Sequence, residues 1–330
     1  MALHGWLIVD KPVGPGSTQI VSAVKRALKA GGYPKVKVGH GGTLDPLASG
    51  VLPVALGEAT KLAGRMLDSD KVYDFTIGFG TETSTLDAEG EVVATSEIRP
   101  TLAQVEMVLP DFTGAIEQVP PAYSALMVDG KRAYDRARAG EDVDMKMRKV
   151  TIHSLMIRHS RESGNPASSA ASAPDEEEER DPRFRGDDVV GQITLTARVS
   201  KGTYIRSLAR DIARALGTVG SVTMLRRTKA GPFGLSRAIS LDKLGEAAMA
   251  RQLEHTLLPL TAGLDDIPAL PVTPDQAGAL RQGRKLIGIA AAPGLHLATD
   301  ADVAVALVEL SQGEVRVVRG FNMMMSKEAT

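Results

Sequence analysis

Residues 159–188, HSRESGNPASSAASAPDEEEERDPRFRGDD, contain no Val, Leu, Ile or Met and a single aromatic, Phe184. Such a stretch cannot bury enough apolar surface to offset the entropy of ordering it, so it is expected to be disordered. That expectation constrains everything around it. The preceding KVTIHSLMI and the following VVGQITLTARV are rich in β-branched and apolar residues, with Ile193, Leu195, Ala197 and Val199 alternating. Both read as strands. The tract then sits at the tip of the connection between them, where a long loop costs little because closure entropy grows only logarithmically with length. It reads as a tolerated insertion, and deleting residues 160–187 is expected to leave activity unchanged. It carries four Arg against nine acids, a net of −5. The whole chain is −1, so the rest sums to −1 + 5 = +4. A mildly basic folded part is compatible with a polyanionic partner and equally with an ordinary surface.

The remaining chain mixes element types. GWLIVDKP reads as a short strand ended by Pro12. Ser17 or Thr18 can cap a helix that places Ile20, Val21, Val24, Ala27 and Leu28 on one face, with Gly31 and Gly32 as its stop. Residues 71–79 put Tyr73, Phe75, Ile77 and Phe79 on one side of a strand. Thr101 with Gln104 forms the pattern of a capping box. In SKGTYIRSLARDIARAL, Ile205, Leu208, Ala209, Ile212, Ala213 and Leu216 make a helical stripe. No repeated βαβ crossover is evident, so the pattern predicts an α+β fold with a mostly antiparallel sheet. LDDIPALPVTPD reads as a linker near residue 265. The short apolar runs beyond it, with a turn at Ser311–Gln312–Gly313, predict a small β-rich domain over residues 268–323 and a frayed tail over 324–330.

Several chemistries lack their residues. The 330-residue chain has no cysteine, which excludes disulfides, thiolate metal sites and a cysteine nucleophile. No second ligand stands at metal spacing beside His40, and the glycine patterns of nucleotide-binding loops are missing. Neither a signal peptide nor a membrane-length apolar run is seen. What stands out is HGGTLDPLASGVLP, a glycine-dense loop with Pro46 fixing the backbone after Asp45. A rigid loop that presents one carboxylate suits nucleophilic catalysis. Asp before Pro is also a common turn residue, and on this loop alone the turn reading is the stronger.

Six blocks, in order, decide the matter. They are LIVDKPVG, GHGGTLDPLASGVLPVALGEATK, KVYDFTIGFGTETSTLDAEG, PPAYSALMVDGKRAYDRARAG, SKGTYIRSLARDI and SVTMLRRTKAGPF. Together they resemble the bacterial tRNA pseudouridine-55 synthase family, the TruB type, over nearly the whole chain outside 159–188. The resemblance implies a pseudouridine synthase catalytic domain over 1–265, a PUA-like domain over 268–323 and a mobile RNA-binding thumb over 122–143. It implies an isomerase that flips a uridine out of the T-loop of tRNA and converts it to pseudouridine, with neither cofactor nor metal. Asp45 matches the nucleophile, Arg206 the arginine that pairs with it, and Tyr73 the tyrosine that stacks on the uracil. His40 matches the residue that holds the T-loop open, and Tyr204 and Leu225 match pocket-lining positions. Lys131, Arg132, Arg136 and Arg138 belong to the thumb. Arg226, Arg227 and Lys11 are expected at phosphates, Lys11 alternatively as a structural strut. An attack at C1′, an attack at C6 and a glycal route all remain open. Gly16 departs from the pattern, standing where Thr is common, which puts the local helix cap in question. The other readings are an RNA-binding module without chemistry and a relative directed to another RNA. A monomer in the cytoplasm is expected, with tRNA as partner and no membrane.

Overall fold

A computed structural model describes residues 3–124, 126–158 and 188–323. Most of the 159–188 tract and the 324–330 tail lie outside the described residues. The chain divides into two compact units, residues 70–228 and the combination of 1–69 with 229–330.

In the unit 70–228, the strands flanking the tract pair antiparallel as expected, Arg148–Ile157 against Gln192–Val199, with Ile157 opposite Leu195. Gln192–Val199 also pairs with Lys71–Phe79, and Arg148–Ile157 with Gly114–Gln118, all antiparallel. Phe75, Ile77 and Phe79 are buried on one face, with Tyr73 half-buried at its margin. The helix Ile205–Ala215 lays Ile205, Leu208, Ala209, Ile212 and Ala213 into that same core. Thr101 caps the helix Leu102–Val108. Its hydroxyl accepts from the Gln104 N–H at 3.2 Å, and the Gln104 side chain accepts from the Thr101 N–H at 2.8 Å.

In the other unit, Gly5–Lys11 pairs antiparallel with Ala48–Leu56, whose far edge takes Val38–His40. The helix Ser17–Ala30 buries Ile20, Val21, Val24 and Leu28. Its N-cap is Gly16, not Ser17 or Thr18. The Gln19 side chain accepts from the Gly16 N–H at 2.7 Å, so a residue without a side chain still begins the helix. The helix ends where Gly31 abuts the Ala248 carbonyl, leaving no space for a Cβ. A five-stranded sheet follows, in the order Ala269–Pro271, Gly294–Asp300, Val303–Ser311, Glu314–Gly320, Leu286–Ile287. Gln312 and Gly313 both have positive φ, which gives the expected tight hairpin turn. Leu297, Leu307 and Phe321 share a core with Trp6, Ile8 and Val51.

Two expectations change here. The segment LDDIPALPVTPD is no free linker: Leu264 is buried, and Ala269–Pro271 pairs in parallel with Leu297–Thr299. It runs straight into the helix Pro274–Arg281, capped by Thr273, which the expected strand-and-turn pattern does not include. The polar, Pro-containing sequence concealed one edge strand and one short helix.

Candidate active site

Asp45 lies in the loop that joins His40 to Ala48, with both flanking strands paired. The residue before it is pinned twice. The Leu44 N–H donates to the Ser17 hydroxyl at 2.8 Å, and that hydroxyl donates back to the Leu44 carbonyl at 3.1 Å. Leu44 also buries its side chain. The residue after it is pinned as well, because the Pro46 carbonyl accepts from the Gly14 N–H at 2.9 Å and from Lys11 Nζ at 3.1 Å. The Ala48 N–H closes a turn onto the Asp45 carbonyl at 3.1 Å. At the loop's start a Cβ on Gly41 would lie 2.6 Å from Met66, and Gly42 has φ of 140°. Both positions therefore require glycine. The result is a half-buried carboxylate on a backbone held on both sides. The turn reading and the catalytic reading of Asp45 are thus compatible: the backbone makes the turn and the carboxylate is presented by it.

Lys11 needs correction as an RNA contact. It is 0% exposed, and Nζ donates to the carbonyls of Ala48 at 2.6 Å, Pro12 at 2.9 Å and Pro46 at 3.1 Å. Its ammonium ties the turn after the first strand to the chain leaving Asp45, which is the strut role. His40, the last residue of its strand, is half-buried immediately before the loop.

In the unit 70–228, Tyr73 pairs across the sheet with Ala197, and both Tyr73 and Leu225 pack on the margin of the core that carries the 205–215 helix. Tyr204 is the N-cap of that helix, with no side-chain hydrogen bond capping it. Arg206 is only 5% exposed. A cation in the first turn faces the positive end of the helix dipole, so its position requires compensation. Among the groups that supply it are the Thr85 carbonyl at 2.8 Å, the Tyr123 carbonyl at 3.0 Å and the Asp87 carboxylate at 3.3 Å. Asp87 is itself buried, and it accepts from the Thr85 hydroxyl at 2.5 Å and the Glu89 N–H at 3.1 Å. Sequence reasoning missed Asp87. Its segment TLDAEG announces an Asx turn, which is a local signal, but nothing local announces a partner in a distant helix.

The segment expected as the thumb contains a two-residue hairpin, Met127–Val128 with Lys131–Arg132, turning through Asp129 and Gly130 at φ of 51° and 80°. Lys131 and Arg132 are exposed, as a phosphate contact requires. Arg136 differs: it pairs with Glu141 at 2.7 Å and Asp129 at 3.1 Å, and so braces the hairpin. Arg138 stacks on the Tyr134 ring at 4.4 Å. Arg226 is half-buried, whereas Arg227 is 1% exposed, which removes it as a surface phosphate contact. Among the described residues no cluster of His, Cys, Asp and Glu fits a metal, and no helix is long and apolar enough to cross a membrane.

The α+β fold with its mostly antiparallel sheet is shared with solved structures. The solved structure of a Cbf5–Nop10–Gar1 complex matches with a TM-score of 0.67 at 24% identity, over 96% of this chain and 85% of that one. An H/ACA RNP bound to a substrate RNA containing 2′-deoxyuridine matches with 0.65 at 22%, again over 96% and 85%. The model of the TruB family pseudouridylate synthase N-terminal domain matches residues 25–205, and that of the tRNA pseudouridylate synthase B C-terminal domain matches residues 206–265. The chain belongs to the TruB family of pseudouridylate synthases. It is 59% identical over 321 residues to the tRNA pseudouridine synthase B of Novosphingobium aromaticivorans, covering 97% of this chain and 98% of that one. It is also 59% identical to the protein of the same name from Zymomonas mobilis, over 97% of each.

Proposed function

We propose that this protein is a tRNA pseudouridine synthase that isomerises uridine 55 in the T-loop, with Asp45 as its nucleophile. The observation that carries the reading is the Asp45 loop, held on both sides by Ser17, Gly14 and Lys11, in a chain 59% identical to proteins named for this activity. The target base must first leave its stack, at a cost of a few kcal/mol. Stacking on Tyr73 and contacts with Tyr204 and Leu225 offset that cost, while His40 occupies the space the base vacates. Breaking the glycosidic bond builds positive charge at C1′, which a nearby carboxylate stabilises or captures, as in retaining glycosidases. Arg206 is the cation assigned to pair with Asp45 in the reaction. Lys131, Arg132 and Arg226 hold phosphates in a salt-dependent way. Residues 1–265 form the catalytic domain, residues 122–143 close on the T-arm, and residues 268–323 form the PUA-like domain. The enzyme acts as a cytoplasmic monomer.

The test is tritium release from C5-labelled uridine in a tRNA transcript, with wild type and Asp45→Asn. Release by wild type alone supports the reading. Equal release by both removes Asp45 as nucleophile, and tight binding without release by either makes the chain an RNA-binding module.

A further inference from the structure

Gln118 is the last residue of the strand Gly114–Gln118 and is 1% exposed. Its carboxamide spans the backbone of a single distant residue. Gln118 Oε1 accepts from the Tyr204 N–H at 2.8 Å, and Nε2 donates to the Tyr204 carbonyl at 3.1 Å. A buried carboxamide bonded to both sides of one peptide residue fixes that residue's position and its orientation. Tyr204 is the residue that begins the helix Ile205–Ala215, so Gln118 anchors the start of that helix to the sheet. Its own strand is anchored in the sheet, with Gln118 opposite Arg148 and Glu117 opposite Lys149. Two residues beyond Tyr204 stands Arg206, whose Nη2 reaches the Tyr123 carbonyl five residues after Gln118.

We propose that Gln118 is a positioning residue of the isomerisation: it sets the Tyr204 ring and the Arg206 guanidinium in their catalytic places by clamping the Tyr204 backbone to the sheet. The inference rests on the proposed synthase activity. Only a group with one acceptor and one donor at this separation can do it. Glu offers two acceptors when ionised and so opposes the Tyr204 carbonyl, but a protonated Glu restores the donor. Asn has the right groups on a stem one methylene too short. Leu leaves the Tyr204 N–H and carbonyl without this partner.

The experiment measures kcat and KM of tritium release for wild type, Gln118→Glu, Gln118→Leu and Ser207→Ala from pH 5 to 8. Ser207 is the control because its hydroxyl ties the same helix to the Val119 carbonyl at 2.8 Å. A displacement near 1 Å in a positioned group costs on the order of a hundredfold. Both Gln118 variants are therefore expected to lose roughly ten- to a hundredfold in kcat at pH 8 with KM within about twofold. Gln118→Glu should recover part of that loss as the pH falls and its carboxyl protonates, and Gln118→Leu should not. Ser207→Ala should stay within about twofold of wild type. The proposal is overturned if the Gln118 variants keep wild-type kcat, if the loss falls on KM alone, if Gln118→Glu shows no pH recovery relative to Gln118→Leu, or if Ser207→Ala loses as much. Should Gln118→Leu fail to fold, as judged by its melting curve, the pH response of Gln118→Glu decides alone. An inactive wild type would instead sink the synthase reading.

Discussion

Replacing Lys11 by Met separates two roles that a lysine near an RNA enzyme's active loop could play. Met keeps an unbranched apolar stem and removes only the ammonium. The three carbonyls it serves are not equally affected. Pro12 is exposed, so water can take over its carbonyl. The Pro46 carbonyl retains the Gly14 N–H at 2.9 Å. Ala48 is fully buried and loses a 2.6 Å charge-assisted bond. A hydrogen bond to a charged group contributes about 1.5–3 kcal/mol, and a stranded buried acceptor costs about 1–3 kcal/mol. Part of this is offset because the ammonium need no longer be desolvated. The balance is a destabilisation of about 2 kcal/mol, which lowers a urea midpoint by about 1 M at an m of roughly 2 kcal/mol/M. Because residues 46 and 48 follow Asp45 directly, kcat should fall by on the order of tenfold or more as the loop relaxes. The decisive assay is tRNA binding measured against salt. A lost phosphate contact reduces the slope of log K on log[salt] by about 0.7–0.9. A strut leaves that slope unchanged. Lys11→Met with normal stability, normal kcat and a reduced slope would refute the strut and return Lys11 to the RNA.

Asp87→Asn should destabilise the unit 70–228 by about 1–3 kcal/mol, since it replaces the charged acceptor 3.3 Å from the buried Arg206 guanidinium by a neutral one. Urea unfolding checks this, and a loss below about 1 kcal/mol would show that the pair is solvated. Gly130→Val places a β-branched residue at φ of 80° in the hairpin of the proposed thumb, a strain of about 1–2 kcal/mol. Carried into RNA binding, that raises KM for tRNA about tenfold with kcat kept, because 1.4 kcal/mol is tenfold; steady-state kinetics read the split, and an unchanged KM counts against the thumb. In the C-terminal sheet, hydrogen bonds from Arg316 and Lys285 hold the Glu314 carboxyl down to about 2 from the ordinary 4.5. A lowered folded value means that this stabilisation is present above pH 4.5 and is lost as the pH falls toward 2. Glu314→Gln should therefore flatten the fall in melting temperature across that window, and an unaltered slope would dismiss the interaction.

What the sequence made legible is what repeats locally. The period-two face of 71–79, the stripe of 205–215, the Thr101 capping box and the turn at Gln312–Gly313 each arise from neighbours along the chain, and each stands where expected. The pairing of the strands around residues 159–188 followed from a negative, a tract with nothing to bury. The site was legible differently. The motif blocks marked Asp45 and Arg206, but neither could announce what braces it. Lys11 misled because lysines are rarely buried, and only the arrival of three carbonyls at one point makes burial tolerable. Asp87 and Gln118 were silent because their partners are more than 80 residues away, at Arg206 and Tyr204. All three are polar groups that bind backbone or charge away from solvent, and that is a property of the assembled chain. The proposed mechanism holds one carboxylate and one guanidinium in fixed places through such contacts, so the residues least visible to pattern reading are the ones whose substitution should separate kcat from KM.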